Sequence, residues 1–162
     1  MTDTLFLISG ASGRVGRHLV TQLIESGHRV RALTRSPEKA DLPAKAEVVA
    51  GSFEDLPEGV FDGVTAAFVF PADGAGAFAR AAVANGVTRL VLLSSLAAAL
   101  EHERDHGSAS QRHHSAIEEA VRASGAQWTI LRPGTFASNL LAWSQPIRFT
   151  GGVRGPYPTS AQ

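Results

Sequence analysis

Cysteine is absent from the 162 residues, which excludes disulfides, thiolate nucleophiles and cysteine-ligated metals. Neither sign of charge is in excess: 15 Lys and Arg stand against 15 Asp and Glu. No basic surplus points to a nucleic acid as a direct partner, and no polybasic segment points to an anionic membrane. Long apolar runs are missing too. None approaches the ~20 residues that span a bilayer. The run Leu5-Phe6-Leu7-Ile8 is too short for a signal peptide and lacks a basic leader. A reducing cytoplasm is the expected setting, although a cysteine-free chain suits any compartment. What remains is ordinary for a globular protein: 44% hydrophobic and 19% charged residues, long enough for one domain with a real core.

What stands out is the N-terminal segment Leu5-Phe6-Leu7-Ile8-Ser9-Gly10-Ala11-Ser12-Gly13-Arg14-Val15-Gly16-Arg17-His18-Leu19-Val20. An apolar run stops at a glycine, two more glycines follow at three-residue spacing, and a helical pattern begins at once. This predicts a strand, a tight turn and a helix start, the arrangement that receives a dinucleotide pyrophosphate. Glycine lets the turn bend sharply and lets a phosphate approach bare backbone. The first helical amides have no partner within the helix, and the helix dipole favours an anion there. Gly10, Ser12, Gly13, Arg14, Val15 and Gly16 are the expected contacts.

Apolar runs alternate with helical patterns along the rest of the chain. Strands are predicted at 5–9, 29–34, 47–50, 66–70, 89–94 and 128–131, and helices at 15–26, 74–85 and 111–124. Such alternation predicts a parallel sheet covered on both faces, a doubly wound, Rossmann-like α/β fold. Residues 1–141 form the expected dinucleotide-binding domain. Residues 142–162, interrupted by Pro146, Pro156 and Pro158, read as an irregular tail.

The end of the second strand bears on cofactor type. A carboxylate there usually bonds the ribose 2′-OH of NAD. The sequence instead reads Ala32-Leu33-Thr34-Arg35-Ser36, and a guanidinium suits a 2′-phosphate. Arg35, with Arg14 closing on the same group, therefore points to NADP(H). The alternative is that Arg35 is a solvated strand-end charge. After the third strand, Ser52 and Phe53 either border the adenine or form a turn with one core phenylalanine. Ser94 and Ser95, at the mouth of the fifth strand, either contact cofactor or substrate or cap the strand end. Among the histidines of 101–114, the spacing His-x3-His-x6-His-His matches no defined ligand set, so no metal is expected and a polar lid is the simpler reading. Trp128 and Trp143 read as packing residues.

The glycine loop, Arg35 in its Leu-Thr-Arg ending, Leu92-Leu93-Ser94-Ser95, and Ala123-Ser124-Gly125-Ala126-Gln127-Trp128-Thr129-Ile130-Leu131-Arg132-Pro133-Gly134-Thr135-Phe136 together resemble the atypical short-chain dehydrogenase/reductases. The similarity is to the NmrA-like or NAD(P)H-binding branch, which includes NADPH-dependent quinone oxidoreductases, and it runs nearly to Asn139. It implies that the turn of Arg132, Pro133 and Gly134 lies beside the nicotinamide and that Phe70 and Pro71 pass close to the cofactor.

Two departures qualify the resemblance. Alcohol-oxidising members use Tyr-x-x-x-Lys for proton transfer, but Tyr157 is the single tyrosine and no lysine follows it. The lysine position of many relatives is held by His114, where quinone-reductase-like members commonly carry histidine. His114 lies one helical turn before Glu118, which is placed to orient it. It reads either as a group at the nicotinamide edge or as a solvent-facing helical histidine. The second departure is length: members continue into a substrate lobe, and 142–162 is too short to build one, so a fragment is expected. The expected activity is hydride transfer from NADPH to a small acceptor such as a quinone or similar conjugated carbonyl, with a homodimer left open. The rival expectation is a non-catalytic NAD(P) sensor acting through a protein partner.

Overall fold

Strand β1, Leu5–Ser9, alternates its side chains between two cores. Leu5 and Leu7 enter one cluster and Ile8 enters the other, the two-residue period of a strand buried on both faces. The computed structural model describes residues 4–134 and 136–152. β1 is joined in parallel by β2 (Arg29–Thr34), β3 (Glu47–Ala50), β4 (Val64–Val69), β5 (Arg89–Leu93) and β6 (Gln127–Leu131) in the order β3-β2-β1-β4-β5-β6. This is the doubly wound fold expected. The winding reverses between β1 and β4, and open sheets of this kind bind ligands at the carboxyl ends of the strands beside such a reversal.

Helices cover both faces. α1 (Arg14–Glu25) sends Val20 into the cluster with Ile8, Val30, Ala32 and Phe68. On the other face, α2 (Ala75–Ala84) and α3 (Ala109–Arg122) contribute Phe78, Ala79, Ala82, Ile117 and Val121 against Leu7, Val69, Leu90 and Leu92. Phe78 is fully buried between Phe53 and Phe61, with ring centroids at 4.6 and 5.4 Å. Truncating such a ring to alanine costs about 3–5 kcal/mol.

α3 begins two residues before the predicted start, because the Ser108 hydroxyl accepts from the Gln111 amide and caps the helix. The histidine-rich stretch conceals that start. The chain divides into two compact units, Met1–Arg132 and Pro133–Gln162. The second is not simply irregular. A 3-10 segment, Ala137–Trp143, leads into α4, Ser144–Thr150. Pro146 falls in the first turn of α4, where its missing N–H would have had no helical acceptor anyway. Proline in that position starts a helix rather than breaking one. Pro156, Pro158 and Tyr157 lie outside the described residues. Among those described, no helix is long and apolar enough to cross a membrane.

Candidate cofactor site

The turn after β1 is built around Gly10. Its φ of +62° is a left-handed conformation, and a Cβ there would press on the Phe70 ring at 3.1 Å. The Gly13 amide donates back to the Gly10 carbonyl at 3.0 Å, closing the turn. α1 then starts at a glycine N-cap, with no side-chain cap and no acidic residue in its first turn. At Gly16 a Cβ would lie 2.2 Å from the Gly10 carbonyl oxygen and 2.8 Å from the Ala11 Cα. Helix and turn therefore touch backbone to backbone. An uncapped helix start behind a bare glycine turn fits a pyrophosphate.

A cleft of about 500 Å³ opens here at the carboxyl edge of the sheet. Four loops line it. The β1 turn gives Gly10, Ser12 and Gly13, and the end of β2 gives Thr34, Arg35 and Ser36. The β3 end gives Ser52, Phe53 and Glu54, and the β4 end gives Phe70, Ala72 and Asp73. The Ser12 and Thr34 hydroxyls stand 2.9 Å apart and tie the first two loops together. The Ser52 hydroxyl accepts from the amides of Glu54 and Asp55, so it shapes its own turn. Phe53 satisfies both of its readings: it lines the cleft and packs on Phe78.

The other expected residues are not among those lining the cleft. Arg14, Val15 and Gly16 belong to the first turn of α1, with Val15 packed on the core. Pro133 and Gly134 fall in the second unit. Pro71 lies within the cleft loop after β4, and its carbonyl oxygen stands 3.2 Å from His113 Nε2 on α3. Ser94 is buried, and its hydroxyl donates to Glu118 Oε1 at 2.6 Å. The Ser95 hydroxyl accepts from the Ala97 amide and caps a short turn.

Glu118 does not hydrogen-bond His114, contrary to expectation. Its carboxylate, 2% exposed, takes Ser94 and Arg132 Nε on Oε1, and Arg132 Nη2 and Arg122 on Oε2, all within 2.6–2.8 Å. Burial alone would raise the carboxyl's pKa. The hydrogen bonds from Arg132, Ser94 and Arg122, with the Arg132 charge, outweigh it and hold the value at about 2. Arg132 is raised in turn, chiefly by its bond to Glu118. His114 is left with a buried Nδ1 that has no partner among the described residues. Burial, and next the neighbouring His113, push its pKa down, against Glu118, which raises it. The balance favours neutral imidazole.

The remaining histidines do not converge. His106 contacts the Leu100 carbonyl, and among the described residues no group of three or more acidic or histidine side chains is placed to hold a metal ion. Trp128 is not a packing residue: it is 45% exposed, with the Arg122 guanidinium 5.4 Å from its ring. Trp143 is exposed as well. Sequence reasoning missed Ser36, Glu54, Asp73 and His113. Ser36 is detectable as a second donor beside Arg35. The acidic wall depends on which loops the sheet order brings together.

The family model for NAD(P)H-binding proteins matches residues 10–148. The chain is 38% identical over 160 residues to a (4-alkanoyl-5-oxo-2,5-dihydrofuran-3-yl)methyl phosphate reductase of Streptomyces griseus, covering 94% of this chain and 55% of that protein. It is 30% identical over 158 residues to an NAD(P)H azoreductase of Xenophilus azovorans, covering 91% and 54%. The chain thus spans about half the length of the curated relatives it matches. Among solved structures, a short-chain dehydrogenase/reductase superfamily protein from Agrobacterium tumefaciens with bound NAD superposes with a TM-score of 0.64 at 27% identity, over 79% of this chain and 48% of that one. The Bordetella bronchiseptica enzyme WbmH in complex with NAD+ superposes with a TM-score of 0.69 over 90% and 62%, and at 21% identity that likeness concerns the fold alone. Fold, glycine turn and family match agree: the chain belongs to the NAD(P)H-binding family of atypical short-chain dehydrogenase/reductases.

Proposed function

We propose that the chain carries the cofactor site of an NADP(H)-dependent reductase that delivers hydride to an electron-poor double bond, in a quinone or another conjugated carbonyl. The observation that carries the cofactor preference is the end of β2. Arg35 and Ser36 line the cleft there, and no carboxylate stands among residues 32–36 to meet a ribose 2′-OH. The guanidinium pairs with a 2′-phosphate through two hydrogen bonds, and Ser36 adds a third donor.

When bound, the nicotinamide supplies the hydride. The glycine turn and the start of α1 hold the pyrophosphate. Pro133 and Gly134 are proposed to border the nicotinamide, with Arg132 held by Glu118 just before them. His114, poised as a neutral imidazole, is the candidate group near the transferred hydride. An activated alkene or quinone that has accepted hydride takes its one proton from water or a weak acid, so the missing Tyr-x-x-x-Lys pair is no obstacle. The names of two relatives fit this class: a 5-oxo-2,5-dihydrofuran bearing an alkanoyl group and an azo compound both present an electron-poor double bond.

The test is steady-state oxidation of NADPH and NADH by the full-length protein, with quinones, unsaturated lactones and azo dyes as acceptors. Turnover with NADPH in preference to NADH supports the reading. Tight binding with no turnover on any acceptor would favour a cofactor-sensing regulator instead.

A further inference from the structure

The 70–74 loop, between β4 and α2, is held from two sides. On the β1 side, the Phe70 amide donates to Ser9 Oγ at 2.8 Å, and that hydroxyl donates to the Phe68 carbonyl at 2.8 Å. On the α3 side, both ring nitrogens of His113 address the loop. Nε2 lies 3.2 Å from the Pro71 carbonyl oxygen, and Nδ1 lies 3.7 Å from Asp73 Oδ1. Phe70, Ala72 and Asp73 of this loop form one wall of the cleft.

We propose that His113 is a positioning residue for the dinucleotide: it pins the 70–74 wall of the cleft and offsets the charge of Asp73, the carboxylate that wall presents to an anionic ligand. The inference rests on reading the cleft as the dinucleotide site. The Pro71 carbonyl only accepts, so Nε2 is the donor in that contact, whereas Nδ1 at 3.7 Å is beyond hydrogen-bond distance of Asp73. The Nε2 contact holds the loop, and a ring that carries the second proton also sets a positive charge beside the exposed Asp73 carboxylate. The need is local. Glu54 lines the same cleft, so the β3 and β4 loops place two acidic residues beside it, Asp73 with its side chain 97% exposed, while Arg35 stands on the β2 wall. On its own helix Arg112 precedes His113 and His114 follows, with its ring 5.3 Å from that of His113, and Glu118 acts on His114 in turn.

The role differs from that of Arg35. The 70–74 loop stands on the β4 side of β1, opposite the β2 end that carries Arg35, so losing His113 is expected to weaken NADPH and NADH alike. The test is a titration of the full-length protein with each nucleotide. His113→Ala is expected to weaken both by about five- to tenfold, the worth of one hydrogen bond. His113→Gln, whose amide can still donate to the Pro71 carbonyl, is expected to recover part of the loss. Asp73→Asn in the His113→Ala background is expected to recover more, because it removes the unbalanced charge. Unchanged affinity in His113→Ala overturns the proposal. So does a loss that is relieved neither by glutamine in place of His113 nor by the Asp73 change, since that would be mere packing. If His113→Ala does not fold, the His113→Gln and Asp73→Asn titrations decide alone, and Asp73→Asn binding no more tightly than wild type overturns the charge role. Wild type binding neither nucleotide would instead sink the reading of the cleft itself.

Discussion

Replacing Glu118 with Gln removes the charge at the point where the end of β5, α3 and the end of β6 are tied together. The side chain is nearly isosteric, but one acceptor oxygen becomes an amide that points its own hydrogens at guanidinium or hydroxyl donors. Two routes to the magnitude agree. A carboxyl held at about 2 against an ordinary 4.5 contributes about 3 kcal/mol at neutral pH, at about 1.4 kcal/mol per decade. Breaking a buried ion pair from one side costs about 3–5 kcal/mol. The low end applies here, because Arg122 and Arg132 are 41% and 34% exposed and can turn to water. A loss of about 3 kcal/mol lowers the melting temperature by roughly 6–12 °C in a domain of this size. The pH dependence follows from the sign. The folded carboxyl is depressed, so its stabilisation is complete above the ordinary value of 4.5 and disappears as pH falls toward about 2. Other carboxylates titrate in both proteins and cancel in the difference. Urea unfolding of wild type and Glu118→Gln should show the full gap at neutral pH and a closing gap below about pH 5. A gap that is equally wide at both ends of that range, or absent at neutral pH, would refute the reasoning.

Three further substitutions test the cleft. Arg35→Ala should weaken NADPH by about 1.5–3 kcal/mol and leave NADH nearly unchanged, measured by calorimetry, because one charge-assisted contact to the 2′-phosphate is lost. Gly16→Ala should cost stability and binding together, since its methyl would overlap backbone atoms of Gly10 and Ala11 that cannot swing aside; overpacking of this kind costs about 1–3 kcal/mol or more, readable in a thermal melt beside a nucleotide titration. Gly13→Val should abolish binding while the fold survives. Its φ of −74° is ordinary and its Cβ would meet only the Gly10 carbonyl at 3.1 Å, so the branched side chain would obstruct the ligand rather than the chain, and a normal melt with no nucleotide-induced shift is the expected pair of results.

Local chemistry makes the cleft legible, and long-range contacts hide the rest. Gly10, Gly13 and Arg35 come from short segments whose meaning depends on the residues beside them, and all three line the cleft, as does Phe70, which the family resemblance implies. The alternation of apolar runs likewise reveals a parallel sheet, because each strand buried on both faces is its own signal. Glu118 and Arg132 are 14 residues apart. The helical period pairs Glu118 with His114 and Arg122, and sequence alone cannot show that Ser94 and Arg132 outcompete His114 for the carboxylate. Between His113 and His114 the difficulty is angular. Adjacent helical residues point about 100° apart, and which one meets the 70–74 loop depends on how α3 packs. α4 is hidden because its proline reads as a stop unless its place in the first turn is weighed.

The most direct test of the account is a titration of the full-length protein with NADPH and with NADH under one set of conditions. Saturable binding of both, with NADPH tighter by at least about tenfold, is the predicted result, since one charge-assisted contact to the 2′-phosphate is worth that much. Equal affinity, or tighter NADH, would contradict the assignment of Arg35 and Ser36 to the 2′-phosphate. Binding of neither would contradict the central claim that the cleft at the carboxyl edge of the sheet is a dinucleotide site.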